Sequence, residues 1–201
     1  KAIREKVGSD FPVGIKLNSA DFMRGGFTEE ESMQVIQTLQ EDGMNLIEIS
    51  GGNYESPNMM GNGAKTSTIK REAYFLDYAE KAQKLLSIPL VVTGGFRSAQ
   101  AMHDALESGA ADMIGIARPL AIEPDLANKL LADTEHRITL PELTTGFPVL
   151  DTASMLSLTW YEHQLAYIGK GKGPKPNLSA WLSVIKTFGA LGSHMWQKRR
   201  A

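Results

Sequence analysis

The 201-residue sequence contains no cysteine. Disulfides, a thiolate nucleophile and cysteine-ligated metals or clusters are therefore excluded from this stretch. Histidine is scarce: His103, His136, His163 and His194 are scattered, and none has a partner at metal-ligand spacing, so no metal site is expected. No apolar run is long enough to span a bilayer and no signal peptide opens the chain. A cytoplasmic location is the expectation. A formal net charge of −2 gives no basic excess that would call for nucleic acid. There is no G-x-G-x-x-G, no Walker A and no H-E-x-x-H. Gly169-Lys170-Gly171-Lys172-Gly173 has the wrong spacing for a phosphate loop and no strand before it. Asn177-Leu178-Ser179 matches a glycosylation acceptor only by chance without a secretion signal.

What is present is alternation. A helix is under way at Ile3–Val7 although the first residue is Lys1, so the chain reads as cut from something longer. Val13–Leu17 is an apolar strand interrupted by Lys16. Thr28 caps a helix with Glu29, Glu30 and Glu31 in its first turn, where acidic residues suit the helix dipole. Leu46–Ile49 is a second strand, closed by Ser50-Gly51-Gly52. A long Gly/Asn/Ser/Thr-rich excursion, Asn53–Arg71, precedes a helix expected over Glu72–Leu86. Leu90–Thr93 is a third strand, Ala99–Glu107 its Ser98-capped helix, and Met113–Ile116 a fourth strand. Pro124–Leu131 is a fourth helix with proline at an early position. Four strand–helix units in sequence predict an α/β fold with a parallel sheet covered by helices.

The tail differs. Arg137–Pro148 reads as an extended connection, Thr152–Ile168 as a helix carrying Trp160 and Tyr161, and Gly169–Pro176 as a basic Gly/Pro linker. Leu178–Trp196 is an amphipathic helix. A membrane-surface role suits such a helix, but packing on the parent domain is the commoner arrangement, and no membrane partner is expected.

The third and fourth strand ends carry the chemistry. Gly94-Gly95 and Ala117-Arg118 offer small residues, backbone N–H groups, a helix N-terminus and a guanidinium. Those are the parts of a phosphate cradle. Two ordinary strand-to-helix turns with a surface arginine would look the same. Lys16, inside an apolar strand, either reaches an anionic ligand at the mouth of a barrel or snorkels to its rim.

Read together, these segments resemble the C-terminal half of the old yellow enzyme family of FMN-dependent oxidoreductases. The resemblance rests on Val13-Gly14-Ile15-Lys16-Leu17-Asn18, Ile47-Glu48-Ile49-Ser50-Gly51-Gly52, Val92-Thr93-Gly94-Gly95-Phe96-Arg97, and Ile114-Gly115-Ile116-Ala117-Arg118-Pro119-Leu120 with Glu123-Pro124-Asp125-Leu126 behind it. It implies the last four units of a (β/α)8 TIM barrel over residues 1–135, with a helical extension over 136–201. It implies FMN as cofactor, NAD(P)H as hydride donor and a small-molecule acceptor such as an electron-poor alkene. Lys16 stands where the family has a cation beside the flavin N1 and C2 carbonyl. Gly94 and Gly95 stand where backbone amides meet the FMN phosphate. Ala117 and Arg118 stand where the family commonly has Gly-Arg, the arginine pairing the phosphate. Gly51 and Gly52 lie near the isoalloxazine edge. The carbonyl-gripping pair and the proton-donating tyrosine of the family would lie upstream of Lys1, so no catalytic residue is expected in this chain, and ene-reductase turnover by it alone is not expected. The cysteine-free stretch Arg137–Pro148 implies the branch without an iron–sulfur cluster. A half barrel with open edges is expected to self-associate or to pair with its missing half. Alternatives are a phosphate-binding half barrel without redox chemistry and a non-enzymatic module in which the tail helix docks a membrane or partner.

Overall fold

A computed structural model describes residues 2–51, 72 and 75–195. The expected long excursion, Gly52 and Trp196 lie outside the described residues. The chain divides into two compact units. One comprises Lys1–Ala117 with Asn128–Ile138, the other Arg118–Ala127 with Thr139–Ala201.

The first unit is α/β. Helix α1 (Ala2–Val7) precedes β1 (Gly14–Asn18), α2 (Glu29–Glu41), β2 (Leu46–Ser50), α3 (Leu76–Gln83), β3 (Leu90–Thr93), α4 (Ala99–Glu107) and β4 (Met113–Gly115). The four strands are parallel in the order β1-β2-β3-β4. Local chemistry explains the helix starts. Thr28 and Glu31 form a reciprocal capping box on α2, and the Ser98 side chain accepts from the Ala101 N–H at the head of α4. One sheet face buries Ile47, Ile49, Leu90 and Val92 against Ile36, Leu76, Ala79, Ala82, Met102 and Ala105 of the helices. Each fully buried aliphatic side chain contributes about 1.5–3 kcal/mol, so this face dominates the unit's stability. Within it, the Ser32 hydroxyl donates to the Asn18 carbonyl at 2.8 Å and shares a 2.7 Å hydrogen bond with the Tyr78 hydroxyl, tying α2 and α3 to the end of β1.

The helix expected over Glu72–Leu86 is shorter, beginning at Leu76. Glu72 sits at φ 54°, a left-handed backbone that no helix interior accommodates. Its side chain explains why it is held there. One carboxylate oxygen accepts from the Arg97 N–H at 3.1 Å and the Ser98 hydroxyl at 2.9 Å, and the other pairs with Arg137. Ser98 and Arg137 also form an antiparallel bridge, with the Ala99 N–H donating to His136 O and the Ile138 N–H to Arg97 O. Buried Glu72 thus fixes the turn between β3 and α4 from outside. Replacing Glu72 by alanine should destabilise the unit by about 1–3 kcal/mol, because the part-buried Arg97 N–H and Ser98 hydroxyl lose a charged acceptor. Urea unfolding followed by circular dichroism checks this; an unchanged midpoint would remove Glu72 from the turn.

The second unit is helical. A 3-10 turn (Arg118–Ala121) leads to α5 (Leu126–Ala132), whose last residues belong to the first unit. The helix expected from Pro124 starts two residues later, because Pro119 O accepts from the Ile122 and Glu123 N–H groups and Glu123 O from that of Leu126, which closes turns instead. The single helix expected over Thr152–Ile168 is two: α6 (Pro148–Ala153) and α7 (Leu156–Ile168). Met155 between them is left-handed, at φ 48°, which breaks the helix without any glycine or proline to announce it. Pro148, expected in the extended connection, opens α6. Helix α8 (Ala180–Met195) packs on α7. Trp160 is fully buried there, donating from Nε1 to Leu178 O at 2.8 Å, beside Tyr161, Leu156 and Val184. No described helix is long and apolar enough to cross a membrane.

Candidate functional site

A parallel sheet brings all its strand C-terminal ends to one edge, the edge where open α/β sheets and barrels place ligands. Here that edge carries Asn18, Ser50-Gly51, Thr93-Gly94-Gly95 and Gly115-Ile116-Ala117. Gly94 at φ 125° and Gly95 at φ 98° form consecutive residues in a backbone region that side-chain-bearing residues rarely adopt. Immediately after them, Ser98 caps α4, so the turn delivers the N-terminus of a nine-residue helix to the same edge.

Lys16 lies on the sheet face opposite the helices. The register pairs Lys16 with Glu48, and the Lys16 ammonium donates to Glu48 Oε1 at 2.6 Å. The Thr93 hydroxyl donates to the same oxygen, also at 2.6 Å. A polar chain therefore crosses β1, β2 and β3 on one face. Burial alone would raise the Glu48 carboxyl. The Lys16 and Thr93 hydrogen bonds, together with the Lys16 charge, outweigh it and hold the group below the usual carboxylate range. Thr93 fits because its partner on β4 is Gly115: a Cβ there would fall 1.6 Å from Thr93 Oγ1.

The other expected site residues are Gly51, Gly52, Ala117 and Arg118. Gly51 follows β2, but the space of its missing side chain is taken: a Cβ would meet the Phe75 ring at 2.6 Å and the Phe22 ring at 2.9 Å. Gly52 lies outside the described residues. Ala117 is exposed just beyond β4, and Arg118 opens the 3-10 turn of the second unit. Sequence reasoning missed Glu48, Thr93 and Glu72. Glu48 had a signal: it lies two residues before Ser50 as Lys16 lies two before Asn18, so aligning the strand ends sets opposite charges side by side. Glu72 had none. His103 Nε2 lies 2.9 Å from Glu107 one turn along α4, and His163 lies 3.2 Å from the Ser183 carbonyl. No acidic or histidine cluster among the described residues could hold a metal ion.

A family model described as the NADH:flavin oxidoreductase / NADH oxidase family matches residues 1–136. Among curated proteins, the NADH-dependent flavin oxidoreductase iccE of Talaromyces variabilis is 38% identical over 143 residues, which cover 67% of this chain and 34% of that protein. The NADH-dependent flavin oxidoreductase nadA of Aspergillus parasiticus is 38% identical over 131 residues, covering 65% of this chain and 29% of the relative. Among solved structures, a 2-naphthoyl-CoA reductase in complex with 2-naphthoyl-CoA superposes with a TM-score of 0.55 at 29% identity, covering 65% of this chain and 19% of that one. The chain thus spans about a third or less of the length of these relatives. With two thirds of its residues matched in one continuous stretch, from α1 through all four strands to His136, the chain belongs to the NADH:flavin oxidoreductase / NADH oxidase family, the old yellow enzyme family.

Proposed function

We propose that this chain supplies the flavin-phosphate part of the FMN site of an NADH-dependent flavin oxidoreductase, its strands being the last four of a (β/α)8 barrel. The observation that carries the reading is the Gly94-Gly95 turn: two consecutive glycines at positive φ, at the C-terminal end of β3 and directly before a capped helix. Such a turn lets an anionic oxygen approach the backbone, and the helix N-terminus adds partial positive charge. The residues present fit a phosphorylated flavin. Gly94 and Gly95 would hold the phosphate, Arg118 would pair with it, and Lys16 would set a cation against the flavin ring. Glu48, itself held by the Thr93 hydroxyl, pairs with the Lys16 ammonium, so the field Lys16 exerts is that of a paired cation rather than a bare one.

When bound, FMN supplies a two-electron carrier between NAD(P)H and an acceptor such as an electron-poor alkene. The chain's own contribution is to bind and orient it and to bias its charge. Separating FMN from riboflavin, which lacks the phosphate, tests the assignment. In a complete barrel that includes this chain, Arg118→Ala should weaken FMN by about 1.5–3 kcal/mol, roughly 10- to 100-fold, and leave riboflavin unchanged. Titration by flavin fluorescence quenching reads both affinities. Equal losses for the two ligands would overturn the phosphate role of Arg118, and failure of either to bind the unmodified protein would overturn the flavin reading itself.

A further inference from the structure

We propose that the helical tail docks on an anionic phospholipid surface through the outward face of α8 and the lysines beside it. This rests on the second unit alone and is independent of the flavin reading. From His163 to Ala201 the sequence has no aspartate or glutamate and seven lysines and arginines, although the whole chain carries −2. The charge asymmetry is therefore concentrated in the tail.

The structure shows what accompanies it. Ser183 and Val184 turn inward and are buried. Ile185, 63% exposed, and exposed Leu182 lie on the side away from them, while Trp181 and Phe188, about one turn before and after Val184, are exposed along the flank between. Phe147 extends this apolar face, its ring edge-on to Trp181 at 5.8 Å. The cations gather next to α8. The Lys175 and Lys186 ammonium groups lie 4.7 Å and 4.9 Å from the Tyr167 ring centroid, and Lys170 and Lys172 are exposed in the same loop.

An exposed aromatic and aliphatic stripe bordered by lysines is the pattern of a helix lying in a membrane interface, where tryptophan is favoured and each basic residue adds attraction to anionic headgroups. No described helix is long and apolar enough to cross a membrane, and the proposal lays α8 along its surface. A second copy is the poorer occupant. A two-fold contact would set one acid-free basic segment against another, whereas anionic lipid supplies the missing charge.

The test uses the full chain with vesicles of phosphatidylcholine, alone or mixed with phosphatidylserine, read by co-sedimentation and tryptophan emission. Binding to the mixed vesicles should exceed that to phosphatidylcholine by about tenfold or more and fall with salt as surface charges are screened. The pair Ile185→Glu and Phe188→Glu, and separately the pair Lys170→Glu and Lys172→Glu, should each lower it by about tenfold or more. All four positions are exposed or border the exposed face, and unchanged circular dichroism verifies folding. No preference for the anionic vesicles, or binding indifferent to Ile185→Glu and Phe188→Glu, would overturn the proposal. So would a dimer, seen by light scattering, that the same pair dissolves, since that would assign the face to a second copy.

Discussion

Replacing Gly115 by alanine should destabilise the sheet by about 3 kcal/mol, the upper end of what overpacking costs. The Cβ would arrive 1.6 Å from Thr93 Oγ1 and 2.8 Å from Thr93 Cβ. Rotating the hydroxyl away relieves only the first contact and breaks its hydrogen bond to Glu48. The second contact remains below any distance that real methyl carbons keep, so β4 must shift away from β3. Thr93 is buried, and β4 has only three residues of pairing with which to absorb the shift. A lower urea midpoint with an unchanged slope would report this. Wild-type stability would mean that Thr93 and Gly115 are not register partners.

Replacing Lys16 by methionine should have two linked effects. Glu48 loses a hydrogen bond and a compensating charge, so burial, opposed now by Thr93 alone, moves its carboxyl upward. As the protein stands, the folded-state value is depressed. The stability Glu48 contributes is therefore present above the usual carboxylate value and is lost as the pH falls through the folded one. The deficit of the variant should accordingly be largest near neutral pH and shrink in acid. Both partners are partly exposed, so it should amount to about 1 kcal/mol or less. On the proposed flavin reading, in a complete barrel that includes this chain and holds FMN, the loss of a cation, together with a carboxylate left without its ammonium, should lower the flavin reduction potential. Unit charges a few ångströms apart interact by on the order of a few kcal/mol at a surface-like dielectric, well within reach of spectroelectrochemistry. An unchanged potential in a fully flavinated variant would place Lys16 outside the flavin's field.

The two variants probe features that the sequence disclosed to different degrees. Alternating apolar runs and capped helices determined the four strand–helix units by themselves, and β3 and α4 have the bounds their residues predict. The reason is local. Thr28 and Ser98 cap through contacts three residues away, and Gly94-Gly95 can terminate a strand through backbone freedom that no partner has to supply. The motifs at the four strand ends were equally legible, and with them the family.

Only the tertiary structure decided what Lys16 touches. Its partner is 32 residues away in sequence and becomes adjacent only when β1 and β2 pair in register. The same holds for Gly51, whose smallness serves Phe22 and Phe75, and for Glu72, which leaves the helix expected of it because Arg97, Ser98 and Arg137 outweigh local propensity. Met155 breaks the tail helix in a conformation that no side chain of its type signals. Short-range patterns fix where elements begin and which residues can line a sheet edge. Which charge meets which, and which glycine makes room for whom, depends on strand register and side-chain packing across tens of residues, and those exist only in the folded chain.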